Sequence, residues 1–289
     1  MNNTRIIWQQ RKMIGMITRI FFKTIFPFLE RKNKGEIPTL ERKLKTPPKG
    51  LIDAYVKWSG GDHSKYKQSI PPHMFSQFAL HLGMSLLCKV PYKISKIINQ
   101  GVNVKVHGDL LRNKNIFAET NIIDLYEENG RARVKQKMYI GHQKGENIIE
   151  ITLYSAFIIG RKKKLDRTPE ESIEMETIGH WSVNKQAGLE FAKLTGDFNP
   201  IHWVDFIAKK TPFKQTILHG LGQLAKTFEL IEQTKGKVKE IELKFIKPVK
   251  LSQNRVDVKI ASHPITDSPC KLQLCDTKGK QLSVGHVLY

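Results

Sequence analysis

Apolar positions along this chain change their spacing several times, and each change marks an element. From Met74 to Leu87 an apolar segment that includes Phe75, Phe78, Leu82 and Met84 follows Pro71-Pro72, which predicts a helix. Strand-like runs then follow at Val102–Val106, Ile116–Asp124, Ala132–Ile140 and Ile148–Ile159, punctuated by Gly130, Gly141 and Gly145. The second half repeats that order. Leu221–Glu232 reads as a helix, and Val238–Ile246, Arg255–Ala261, Lys271–Cys275 and Leu282–Leu288 read as strands. A helix followed by a run of strands is an α+β order, and its recurrence argues for two related units.

The stretches between these runs set the expected boundaries. Residues 1–50 form a basic segment and a charged, proline-bearing connector, and 51–160 the first unit. Residues 161–180, opening Arg161-Lys162-Lys163-Lys164, form a linker, and 181–289 the second unit. Within the first thirty residues Ile6, Met13, Ile17, Phe21 and Phe28 fall near helical spacing, Arg5, Arg11, Lys12, Arg19 and Lys23 intervene, and no acid precedes Glu30. Three readings stay open: a helix folded back on the domain, a helix lying on an anionic membrane surface, or an organelle-targeting peptide. Charge interrupts the apolar runs too often for a bilayer span, and no secretory layout is present.

Composition adds one strong constraint. The 289 residues carry 48 basic against 27 acidic side chains, a net charge of +21, and such a field attracts polyanions. The chain has no zinc spacing, RNA-binding aromatic signature or heptad-bearing basic region, so nucleic acid is not the expected partner. Cys88, Cys270 and Cys275 form neither a metal set nor an even disulfide framework, which points to a reducing, cytoplasmic compartment, with the inner face of a membrane as the alternative.

Candidate chemistry concentrates in Gly196-Asp197-Phe198-Asn199-Pro200-Ile201-His202, followed by His219-Gly220. A carboxylate and an imidazole five residues apart across a turn supply proton-transfer groups, and backbone N–H groups at a helix start beside Gly220 can stabilise a developing oxyanion. Asn199 is expected to brace the loop and His219 to orient it. No metal set is read here.

These residues resemble the signature of the MaoC-like dehydratases, also called (R)-specific or type 2 enoyl-CoA hydratases, and the match covers roughly residues 185–250. The resemblance implies a double hotdog fold, two antiparallel sheets each wrapped around a central helix within one chain, with the first unit degenerate. It implies that Asp197 and His202 hold a water that adds to C3 of a trans-2-enoyl thioester, giving an (R)-3-hydroxyacyl product, with Gly220 as oxyanion donor. Lys244 and Lys247 would meet phosphates of coenzyme A or of an acyl carrier protein arm, or form a solvated strand face. No resident cofactor is implied, since coenzyme A or phosphopantetheine arrives with the substrate. The assembly expected is a monomeric pseudo-dimer or a homodimer of it.

One departure stands out. Some members of the family present a hydroxyl farther along the central helix, where this chain has Thr227 and Phe228. That keeps a second class open, a non-catalytic hotdog protein that binds acyl thioesters or a carrier protein. In the first unit His73 occupies the place of His219 and reads as a structural vestige. Phe75, Phe78, Leu82 and Met84 either line an acyl tunnel or pack the core.

Overall fold

The computed structural model describes residues 10, 11, 13–16, 18, 36–161, 174–253, 255–261 and 268–289. In chain order the first unit runs β1 (Leu40–Leu44), α1 (Lys49–Ser59), β2 (Ser69–Ile70), α2 (Phe75–Phe78), α3 (Leu80–Leu87), β3 (Ile97–Val106), β4 (Leu110–Leu111), β5 (Ile116–Glu128), β6 (Arg131–Gly141) and β7 (Ile149–Ile158). The second runs β8 (Met175–Trp181), α4 (Ala187–Thr195), α5 (Asp205–Lys209), α6 (Gly220–Thr234), β9 (Glu240–Phe245), β10 (Val256–Ala261), β11 (Cys270–Cys275) and β12 (Gln281–Leu288).

Ten strands form one antiparallel sheet in the order β1-β5-β6-β7-β3-β9-β12-β11-β10-β8, while β2 and β4 pair apart from it. Each half follows the same rule. Its first strand lies outermost, its second lies at the centre, and its last three fill the space between. The halves join where β3 pairs with β9, from Gly101 opposite Lys244 to Lys105 opposite Glu240. This is the α+β double hotdog arrangement that the resemblance implied.

Sequence chemistry explains the elements. Along β6, Ala132, Val134, Gln136, Met138 and Ile140 are buried and the residues between them are not, the period of a strand with one covered face. On α6, Leu221, Leu224, Ala225, Phe228 and Ile231 form a buried stripe that packs into a core shared by both units. Burial of such a stripe stabilises by roughly 1.5–3 kcal/mol per large aliphatic side chain.

Several boundaries differ from those expected. The connector assigned to residues 1–50 contains β1, whose charged LERKL run is held as an edge strand by pairing with β5. The linker assigned to 161–180 ends earlier, because β8 pairs with β10 from Met175 to Trp181, and residues 162–173 lie outside the described residues. The helix expected over Met74–Leu87 is two helices meeting at Ala79, preceded by a 3₁₀ turn at Pro72–Met74. Phe75, Phe78 and Leu82 lie in the main core and Met84 packs against a smaller cluster, which is the core-packing reading of those positions.

Of the apolar positions counted near the N-terminus, Ile6, Ile17, Phe21 and Phe28 lie outside the described residues. Met13 is buried, and the helical residues around it fold back on the domain. No helix among the described residues is long and apolar enough to cross a membrane.

Candidate active site

The site is assembled at the end of α4 and the start of α6. Helix α4 closes at Gly196, whose φ of +83° is a left-handed conformation that glycine adopts without steric cost. The chain then turns sharply. Asp197 Oδ1 accepts the Asn199 N–H at 3.3 Å, and Asn199 Oδ1 accepts the Ile201 N–H at 3.4 Å. A 3₁₀ turn at Pro200–His202 brings His202 back beside α4, where the Gly188 Cα meets the His202 carbonyl so closely that a Cβ there would lie 1.9 Å from its oxygen.

Hydrogen bonds fix both imidazoles. His202 Nδ1 donates to the Ile217 carbonyl at 2.9 Å, which leaves Nε2 as the bare nitrogen of the neutral ring. His219 Nε2 donates to the Asp197 main-chain carbonyl at 3.0 Å and lies 4.0 Å from Asp197 Oδ2. The two rings stack at 3.6 Å between centroids, and Phe191 covers the other side of His219 at 4.9 Å. Asp197, His202 and His219 each offer an atom within 4.8 Å of the others. Two groups so spaced can share one water at about 2.8 Å from each.

Electrostatics favour neutral imidazoles. Burial depresses the His202 pKa, with the Asp197 charge and the Ile217 hydrogen bond pulling the other way. His219 lies well below the ordinary histidine value, through burial first and then the neighbouring His202. Asp197 keeps 27% of its side chain exposed, whereas the histidines keep 8% and 2%. The cluster therefore opens to solvent on its carboxylate side. Two imidazoles and a carboxylate are also ligand types for a divalent cation. With His219 Nε2 committed to the Asp197 main-chain carbonyl, the Asp197 carboxylate and the His202 imidazole are the makings of an acid–base pair.

Residues 162–267 match the family model described as a MaoC like domain. This part of the chain resembles that domain. No curated protein matches the chain. Among solved structures, HtdX of Mycobacterium tuberculosis is similar at 18% identity and a TM-score of 0.68, over 86% of this chain and 99% of its own. A MaoC-like dehydratase from Phytophthora capsici is similar at 15% identity and a TM-score of 0.70, over 88% and 96%. A conserved hypothetical protein of M. tuberculosis, described as having a double hotdog fold, is similar at 10% identity and 0.59, over 88% and 95%. At these identities the likeness is one of fold.

Within the matched region the structure brings Asp197, Asn199, His202, His219 and Gly220 together. His219 caps α6, and the N–H groups of Gly220 and Leu221 open that helix without a carbonyl four residues back to accept them. The ring of Phe245 lies against Gly220, where a Cβ would come within 2.5 Å of it, which is a packing reason for glycine. Lys244 is not part of the group. Strand alternation turns it to the opposite face of β9 from Phe245, where it pairs with Glu242 at 3.2 Å. Lys247 is exposed beyond β9, and no contact among the described residues joins either lysine to Asp197.

The departure at Phe228 also lies elsewhere. Its ring is buried 5.0 Å from that of His73, and Thr227 Oγ1 accepts from Trp181 Nε1 at 3.1 Å, so neither side chain reaches the Asp197 cluster. His73 is fully buried, bonded through Nε2 to Glu229 Oε1 at 2.9 Å and through Nδ1 to Tyr55 Oη at 3.2 Å. Sequence reasoning missed the partners that fix both site histidines, since a main-chain carbonyl leaves no mark in a motif. It also missed α5, where Phe206 and Ile207 stand exposed beside Trp203 and Lys210 lies 4.0 Å over the Phe206 ring.

Proposed function

We propose that this chain is a hydro-lyase that adds water reversibly across the C2–C3 double bond of trans-2-enoyl thioesters, giving (R)-3-hydroxyacyl thioesters. The observation that carries this reading is the His202 imidazole brought within 4.8 Å of the Asp197 carboxylate, beside the opening N–H groups of α6. A water held between the two groups loses a proton to the pair as its oxygen bonds to C3. The pair returns one proton to C2 on the same face, so that it ends as it began. Charge that develops on the thioester carbonyl is met by the N–H of Gly220 at the positive end of α6. The acyl group arrives on coenzyme A or phosphopantetheine, and no electron transfer is required.

The exposed residues that follow His202 in sequence suit an amphipathic substrate. Trp203, Phe206 and Ile207 offer apolar surface, and Lys209 and Lys210 offer charge for phosphate or for an acidic carrier protein.

Turnover of a panel of enoyl-CoA thioesters from four carbons upward, with the configuration of the product resolved, tests the proposal. Asp197→Asn and His202→Gln are each expected to lower the rate by about 10²–10⁴-fold. A wild type that binds the thioesters but is as inert as both variants would leave only the binding function.

A further inference from the structure

The turn that carries Asp197 is braced from a distance. Helix α4 ends two residues before the carboxylate, and its last carbonyls have no intrahelical donor. The Ala192 carbonyl is taken by the Gly196 N–H at 2.7 Å. The Leu194 carbonyl accepts from Gln10 Nε2 at 2.8 Å, across 184 residues of chain. Gln10 is itself only 1% exposed, and its Oε1 accepts from Gln77 Nε2 of α2 at 3.0 Å. Its main-chain carbonyl accepts the Ile14 N–H at 3.0 Å, so the amide is carried on a helical turn. Met13, on that same turn, is 5% exposed.

Both side chains close over Gly196, where a Cβ would lie 2.9 Å from the Cβ of Gln10 and 2.9 Å from that of Met13. One amide therefore ties three things together: the end of α4, the first unit through Gln77, and the glycine that precedes the carboxylate.

From this contact we infer that the N-terminal turn at Gln10–Met13 is a strut for the active site, with Gln10 as a positioning residue that holds the Asp197 turn in register with His202. The inference rests on the proposed role of Asp197 in proton transfer. Gln10 touches no reacting atom. It satisfies a buried carbonyl at the root of the turn, and an unsatisfied one would favour fraying of the last turn of α4. Fraying there moves the carboxylate relative to the His202 imidazole, which is held separately by Ile217 and Gly188.

The test is Gln10→Met in the full chain, which keeps the volume and removes both hydrogen bonds, followed by steady-state kinetics on an enoyl-CoA and by amide hydrogen exchange. The expected result is a fall in kcat of about ten- to a hundredfold with KM nearly unchanged, since misplacement by about 1 Å is enough for such a loss. Amides 195–199 should exchange faster while those of β9 stay protected, and the thermal midpoint should hardly move. Unchanged kcat overturns the inference. So does a loss that tracks the thermal midpoint and is recovered on cooling, because the role is then general stability.

If the wild type turns over no enoyl thioester, the proposed reaction fails, and exchange at 195–199 decides the strut alone. Faster exchange in Gln10→Met supports it, and equal exchange removes it.

Discussion

At the scale of single residues, burial of two imidazoles sets the response to pH. His202 and His219 both titrate below the ordinary value of 6.5 in the folded chain, so between that value and their folded values the unfolded chain binds more protons. Stability from this source is fully present above about 6.5 and is lost as pH falls towards the folded values. Urea midpoints measured at stepped pH should decline on acidification, and His219→Phe should flatten the decline. Gly188→Ala is a second probe. With 1.9 Å between a new Cβ and the His202 oxygen, the loop must shift, at a cost of about 1–3 kcal/mol. A displacement of about 1 Å should lower kcat about a hundredfold, measurable beside an unaltered far-UV spectrum. The motif from Gly196 to His202 made the carboxylate and the imidazole that cluster here legible in the sequence. What it hid was orientation, because the tautomer of each ring depends on the carbonyls of Ile217 and Asp197, which any residue type supplies. The face taken by Lys244 was hidden for a related reason, since it follows from the register of β9 against β3.

At the scale of elements, α6 is tied to the first unit by the buried pair of Glu229 and His73. Glu229→Ala leaves the imidazole without its partner in the core, and the expected loss is about 3–5 kcal/mol in urea unfolding. Glu229→Gln keeps an acceptor and should cost less. Strands with one covered face, such as β6, were legible because burial alternates with sequence. Elements with mixed composition were not. The strand β1 is LERKL and owes its form to β5, while α1 follows two prolines and hides its buried Leu51, Ile52, Tyr55 and Val56 behind lysines. Tertiary pairing decides such segments, and local propensity has little say in them.

At the scale of the whole molecule, the halves share a sheet and a core. Val102 and Val104 of β3 lie opposite Leu243 and Ile241 of β9, all fully buried. Across the same seam Asn103 Nδ2 donates to Glu240 at 2.7 Å and Tyr154 Oη to Glu242 at 2.9 Å. A join of this kind does not depend on a peptide connection, which adds only effective concentration. Residues 1–161 and 174–289 produced as two polypeptides should co-purify as a one-to-one complex by size-exclusion chromatography, and each alone should aggregate. Separate, soluble halves would contradict the single core. The repeat of helix and strands was visible in the sequence, but the seam was not, because nothing in the run of β3 names β9 as its neighbour.

The two helix starts, finally, have parted ways. One sets His219 and Gly220 beside Asp197 and His202, and the other has its histidine locked inside by Glu229. On the proposed reading, a symmetric dimer of single units would house two reaction chambers and this chain one, so titration with a substrate mimic should saturate at a single equivalent per polypeptide.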